Sequence, residues 1–188
     1  MPSGVRGATM APIDVKKLLG EDSLEASFEH PVPFRFGYAF DVDLGLGNAG
    51  TWDTLLNGDR IWRLRLSSPH AYSINLIFSE FSMPQEGKLF IYNLDKTMVI
   101  GAFISNNNMP HGKFARQPVR GDAITLEYYE PASARGLGKL RVSKVIHAYR
   151  AQRMPIKPEL NLFIWNRTIL TRSTPLLRFP SVCRKPRM

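Results

Sequence analysis

The chain has 188 residues, 44% of them hydrophobic and 11% aromatic, which is enough for a packed core and too much for a chain disordered throughout. No stretch approaches the ~18 uninterrupted apolar residues of a membrane-spanning helix, so no membrane span is expected. The net charge of +9 would point to nucleic acid if it were spread evenly, but eight of the 25 Lys and Arg lie in residues 151–188 against one acidic residue, so the basicity belongs to the tail and no nucleic-acid partner is expected.

Residues 1–30 read as a leader or linker. They hold a short helix over 14–19, which Asp14 can cap, but no basic cluster followed by an apolar core and a cleavage site, so no export signal is read there. Cys183 is the only cysteine, which rules out an internal disulfide and settles nothing about compartment.

Residues 31–150 read as one all-β domain. After Pro31 and Pro33, aromatic residues recur at every second position through Phe34, Phe36, Tyr38 and Phe40, the period of a strand. In Gly58-Asp59-Arg60-Ile61-Trp62-Arg63-Leu64-Arg65-Leu66 the same period puts Trp62, Leu64 and Leu66 on one face and Arg63 and Arg65 on the other. A turn at Ser67-Ser68-Pro69-His70 precedes a strand that aligns Tyr72, Ile74, Leu76 and Phe78, and Pro84-Gln85-Glu86-Gly87 makes the next turn. Residues 89–92 and 98–104 flank a hairpin loop at 93–96. Two further strands, 124–131 and 140–149, complete at least six segments with no convincing helix between them. That spacing predicts an antiparallel β-sandwich or jelly roll, with Trp62, Leu64, Ile74, Leu76, Ile91, Leu126 and Val142 in its core. Residues 151–188 lose the pattern and read as an irregular basic tail.

Candidate chemistry is sparse. Gly45-Leu46-Gly47-Asn48-Ala49-Gly50 has the glycine spacing of a dinucleotide-binding turn, but the segment after it is too short for the helix that must receive the pyrophosphate, so it reads as a loop. Asp41, Asp43 and Asn48 offer clustered oxygens without the later bidentate Glu of a calcium loop. His30, His70, His111 and His147 are scattered, and His147 reads as a sheet-surface residue. No serine sits in a nucleophile elbow, although a folded triad leaves no fixed spacing to find. Arg63, Arg65, Arg141 and Lys144 with Tyr129 and Tyr149 offer one basic, aromatic face, for which ordinary solvation is the simpler account. Asn166-Arg167-Thr168 is a formal glycosylation sequon. No catalytic, cofactor-binding or metal-ligating residue is assigned.

Residues 58–66, Ser68-Pro69, Tyr72-Ser73-Ile74-Asn75-Leu76-Ile77-Phe78 and Leu89-Phe90-Ile91-Tyr92-Asn93 resemble the N-terminal region of secreted bacterial lysyl-endopeptidase-like serine proteases. So do Gly101-Ala102-Phe103, Gln117-Pro118-Val119-Arg120-Gly121-Asp122, Leu126-Glu127-Tyr128-Tyr129-Glu130-Pro131 and Val145-Ile146-His147-Ala148-Tyr149-Arg150, and the resemblance runs from about residue 11 to residue 150 in order. It implies a non-catalytic accessory or pro-domain that precedes a trypsin-like peptidase domain in an extracellular or cell-surface protein. No export signal and no peptidase motif corresponds here, so the chain itself is not expected to hydrolyse anything, and its expected partner is a peptidase domain. A reading frame that shifts or breaks near Ala151 is the economical hypothesis for the change of pattern in the tail. The second expectation is a free-standing module for carbohydrate or another surface polymer, with Tyr129 or Tyr149 as its platform. A third is an enzyme that uses the Gly45 to Gly50 loop or the scattered histidines.

Overall fold

The computed structural model describes residues 5–25 and 34–151, all within one compact unit. The tail and its sequon lie outside the described residues. The chain forms β1 (Gly7–Thr9), α1 (Val15–Glu25), β2 (Gly37–Gly45), β3 (Thr51–Thr54), β4 (Arg60–Ser67) and β5 (Ser73–Ser82). It continues through β6 (Lys88–Asn93), β7 (Val99–Phe103), β8 (Phe114–Ala115), β9 (Val119–Arg120), β10 (Ala123–Glu130) and β11 (Lys139–Ala148).

Two sheets result. The first has the order β1-β4-β10-β6-β7 with β3 also beside β4, and the second has the order β2-β11-β5-β8 with β9 beside β5. All pairings are antiparallel except β1 with β4. The expected all-β class holds. The segment read as a leader or linker contributes a strand and a helix: Gly7 to Thr9 pair with Arg65 to Ser67, and Met10 N–H donates to Ser67 O at 2.8 Å. Three residues are too few for alternation to announce a strand. The helix, expected to end near residue 19, runs to Glu25, with the Asp14 carboxylate accepting from Lys17 N–H at 3.0 Å as its cap.

Period-two alternation explains where the core sits. Trp62, Leu64 and Leu66 are at most 1% exposed, while Arg63 and Arg65 between them stay half-buried on the outer face. All seven core residues expected from the sequence are buried, and the inward side chains of both sheets join one hydrophobic cluster. Fully removing one such Leu or Ile from water contributes about 1.5–3 kcal/mol, so these strands are held by burial more than by intrinsic preference. At one flank Phe81 and Phe114 stack with centroids 4.0 Å apart, and Phe103 from the other sheet meets Phe114 edge-on at 5.0 Å.

The glycine-rich turn has a packing reason. Trp62 Nε1 donates to Ala49 O at 2.8 Å, and Gly50 sits at φ +73 where a Cβ would lie 2.6 Å from that indole nitrogen. A strand, β3, follows the turn in place of the helix that a phosphate site needs.

Candidate functional site

The polar feature that joins distant parts of the chain lies where β11 ends. Strand parity points Tyr149 to the same side as His147, and its ring is 3% exposed. Its hydroxyl donates to Asp22 Oδ2 on α1 at 2.9 Å. Arg150 Nη2 donates to the same oxygen at 2.8 Å, and Arg35 Nε donates to Asp22 Oδ1 at 2.8 Å. Arg35 also reaches Glu21 at 3.2 Å, and the Arg150 guanidinium lies 5.3 Å over the Phe34 ring. One carboxylate thus gathers the helix, the entry to β2 and the exit from β11.

Hydrogen bonds from Arg150, then from Arg35 and Tyr149, hold the Asp22 carboxyl down at about 2 against the opposing effect of its own burial. A carboxylate so fully engaged is a fastener, not a general base. Burial and the nearby Asp22 charge raise the Tyr149 hydroxyl above its ordinary range, so it remains a donor at any physiological pH.

Two residues before Tyr149, His147 Nδ1 lies 2.8 Å from Ser68 Oγ. The pair is 1% and 0% exposed, and His147 Nε2 has no hydrogen-bond partner. A Ser–His contact without a carboxylate behind the ring, and without access for a substrate, cannot generate a nucleophile. His147, read from sequence as a surface residue, is a core residue: parity with Val145 placed it inward, and its polar type concealed that. Burial, and secondarily His70, lowers its pKa.

The other candidates separate. Arg63 and Arg65 lie on the first sheet and Arg141 and Lys144 on the second, so they form no single basic face. Arg63 pairs with Glu127 and Asp53, Arg141 with Asp43, and Lys144 with Asp41. Asp41 and Asp43 are therefore engaged by cations, and Asn48 Oδ1 accepts from Gly45 N–H at 2.7 Å, so these oxygens do not converge on a metal. Among the described residues no group of three or more His, Cys, Asp or Glu could hold a metal ion. His70 and His111 are exposed, while His30 and Cys183 lie outside the described residues. The expected aromatic platform is also absent as drawn: Tyr149 is buried, and the half-buried Tyr129 donates to Asp59 at 2.5 Å. Among the described residues the exposed aromatics are Phe34, Tyr38 and Tyr72, all at the end of the sheets where α1 docks. Tyr72, expected to point inward with Ile74, lies one residue before its strand begins and is 59% exposed.

No protein-family model matches the chain, and no solved structure matches it significantly.

Proposed function

We propose that residues 5–151 act as a non-catalytic accessory or pro-domain of a secreted serine endopeptidase of the lysyl-endopeptidase type, with a jelly-roll β-sandwich whose α1 end docks on a trypsin-like peptidase domain. The observation that carries this reading is the Asp22 fastener, which fixes α1, the entry to β2 and the departure of the chain after Arg150 at one place. A domain that assists or restrains a neighbour gains from presenting a rigid surface, because rigidity lowers the ordering cost of binding. Phe34, Tyr38 and Tyr72 border that place and supply apolar contact area of the kind that anchors interfaces. An extracellular or cell-surface setting belongs to this reading.

The test is refolding. The denatured catalytic domain of a lysyl-specific trypsin-like protease is diluted from urea with and without the chain, and cleavage of a lysyl substrate is followed. This account expects the chain to change refolding yield or final activity in a saturable way. Identical yields and activities at every ratio would remove it.

The same exposed aromatics favour a second reading, a free-standing module for carbohydrate or another surface polymer. Binding on a glycan panel that Tyr38→Ala and Tyr72→Ala abolish would favour it, and a blank panel would dismiss it.

A further inference from the structure

The opposite end of the two sheets carries a different surface. Four loops meet there, 55–59, 83–87, 104–113 and 131–138, because Thr54 and Glu130 both pair with Arg60, Lys88 pairs with Tyr129, Phe103 with Leu89, and Lys139 with Ser82. The loops are braced. Ala132 N–H donates to Asp59 Oδ1 at 2.8 Å, Met83 N–H donates to Asn108 Oδ1 at 2.8 Å, and Phe81 N–H donates to Gly112 O at 2.7 Å.

From this braced base aliphatic side chains project into water: Leu56 is 104% exposed, Leu137 64%, Met109 45%, Leu55 39% and Ile104 36%. Between them stand the exposed Lys88, Lys113, Arg135 and Lys139, none of which forms an ion pair among the described residues. The carboxylates of these loops and their flanks are Asp59, already taken by Tyr129 and Ala132, Glu130, buried against Arg60, the exposed Glu86, and the exposed Glu80 on β5, which pairs across the sheet with Arg141. At the α1 end, by contrast, the exposed apolar residues lie among carboxylates as well as cations, Glu21 and Glu25 with Lys16 and Lys17 on the helix and Asp95 with Lys96 on the hairpin loop. Aliphatic tips ringed by unpaired cations match the chemistry of one partner above others, a membrane interface whose hydrocarbon takes the tips and whose phosphates take the cations.

We propose that this loop end docks on an anionic lipid bilayer, with Leu55, Leu56 and Leu137 entering the headgroup region and Lys113, Arg135 and Lys139 meeting lipid phosphates. The inference stands apart from the peptidase reading and survives its failure.

The test uses the full chain, with a polarity-sensitive fluorophore on Leu56→Cys in a Cys183→Ser background. Because the basic tail would itself attract anionic vesicles, the readout is local burial of the dye. Vesicles of phosphatidylcholine with phosphatidylglycerol should shift the emission to the blue and make it quenchable by a lipid-borne quencher, and phosphatidylcholine alone should do so far less. Adding Leu137→Ser should weaken partitioning about tenfold or more, since it removes one leucine's transfer from water. Leu94→Cys, an exposed leucine at the other end, should report no burial. No shift at position 56, an equal shift at position 94, or partitioning unchanged by Leu137→Ser would each overturn the proposal.

Discussion

Tyr149 Oη donates to Asp22 Oδ2 over 2.9 Å, tying the residue after β11 to a helix residue 127 positions earlier in the chain. Among the described residues the helix offers little apolar anchorage. Only Leu18 is buried, while Leu19 and Leu24 are 37% and 67% exposed. Docking of α1 therefore depends on the polar fastener more than on an apolar stripe.

Asp22→Ala should release α1 while leaving the sheets folded. Amide exchange at Leu18 and Leu19 should quicken several-fold, and that at Leu64 and Leu126 should not change. Uniform acceleration, or none, would show that the helix is held by something else.

Acid should act on this end in two separate windows. The folded pKa of His147 lies below its ordinary value of 6.5, so the unfolded chain binds more protons below that pH. Its share of stability is complete above about pH 6.5 and falls as pH drops toward the folded pKa, by up to about 1.4 kcal/mol per pH unit. Asp22 acts in the same direction in a lower window, because its folded pKa also lies below the ordinary one. Its contribution is present above its ordinary 3.8 and is lost as pH falls through about 2. Urea titrations between pH 7 and pH 5 should therefore carry the His147 contribution, and His147→Gln should flatten the slope. A slope that His147→Gln leaves unchanged would contradict this.

Leu126 is fully buried at the centre of the first sheet, pairing with Leu64 and Ile91 on either side. Leu126→Ala should cost about 2–5 kcal/mol in urea unfolding, through lost burial and the cavity left behind. Leu56→Ala, at a fully exposed loop tip, should stay within about 0.5 kcal/mol.

Glu130 faces inward with its side chain 1% exposed and accepts from Arg60, whose guanidinium lies 4.2 Å over the Trp52 ring. Gly136 N–H also donates to its other oxygen at 3.1 Å. Glu130→Ala should cost about 3–5 kcal/mol, because it strands a partly buried cation. A loss below about 1 kcal/mol would mean that water reaches Arg60 readily.

The strands were legible because one side of each is dry, and that imprints period two on Trp62, Leu64 and Leu66 or on Ile74, Leu76 and Phe78. Period two names a face within a strand but not the sheet to which the strand belongs. Arg63 and Arg141 therefore looked like neighbours and are not. The Asp22 fastener was illegible for a related reason: its members come from residues 22, 35, 149 and 150, and folding alone brings them together. His147 shows the opposite failure. Its parity with the buried Val145 gave the inward signal, but the Ser68 hydroxyl that accommodates its ring comes from a turn after another strand.

Calorimetric titration of the chain into the catalytic domain of a lysyl-specific trypsin-like protease, at two temperatures, addresses the proposed role most directly. The account predicts saturable one-to-one binding in the micromolar range or tighter, weakened by Asp22→Ala, which frees the docking end. Absence of binding heat at both temperatures, together with unchanged cleavage of a lysyl substrate, would contradict it.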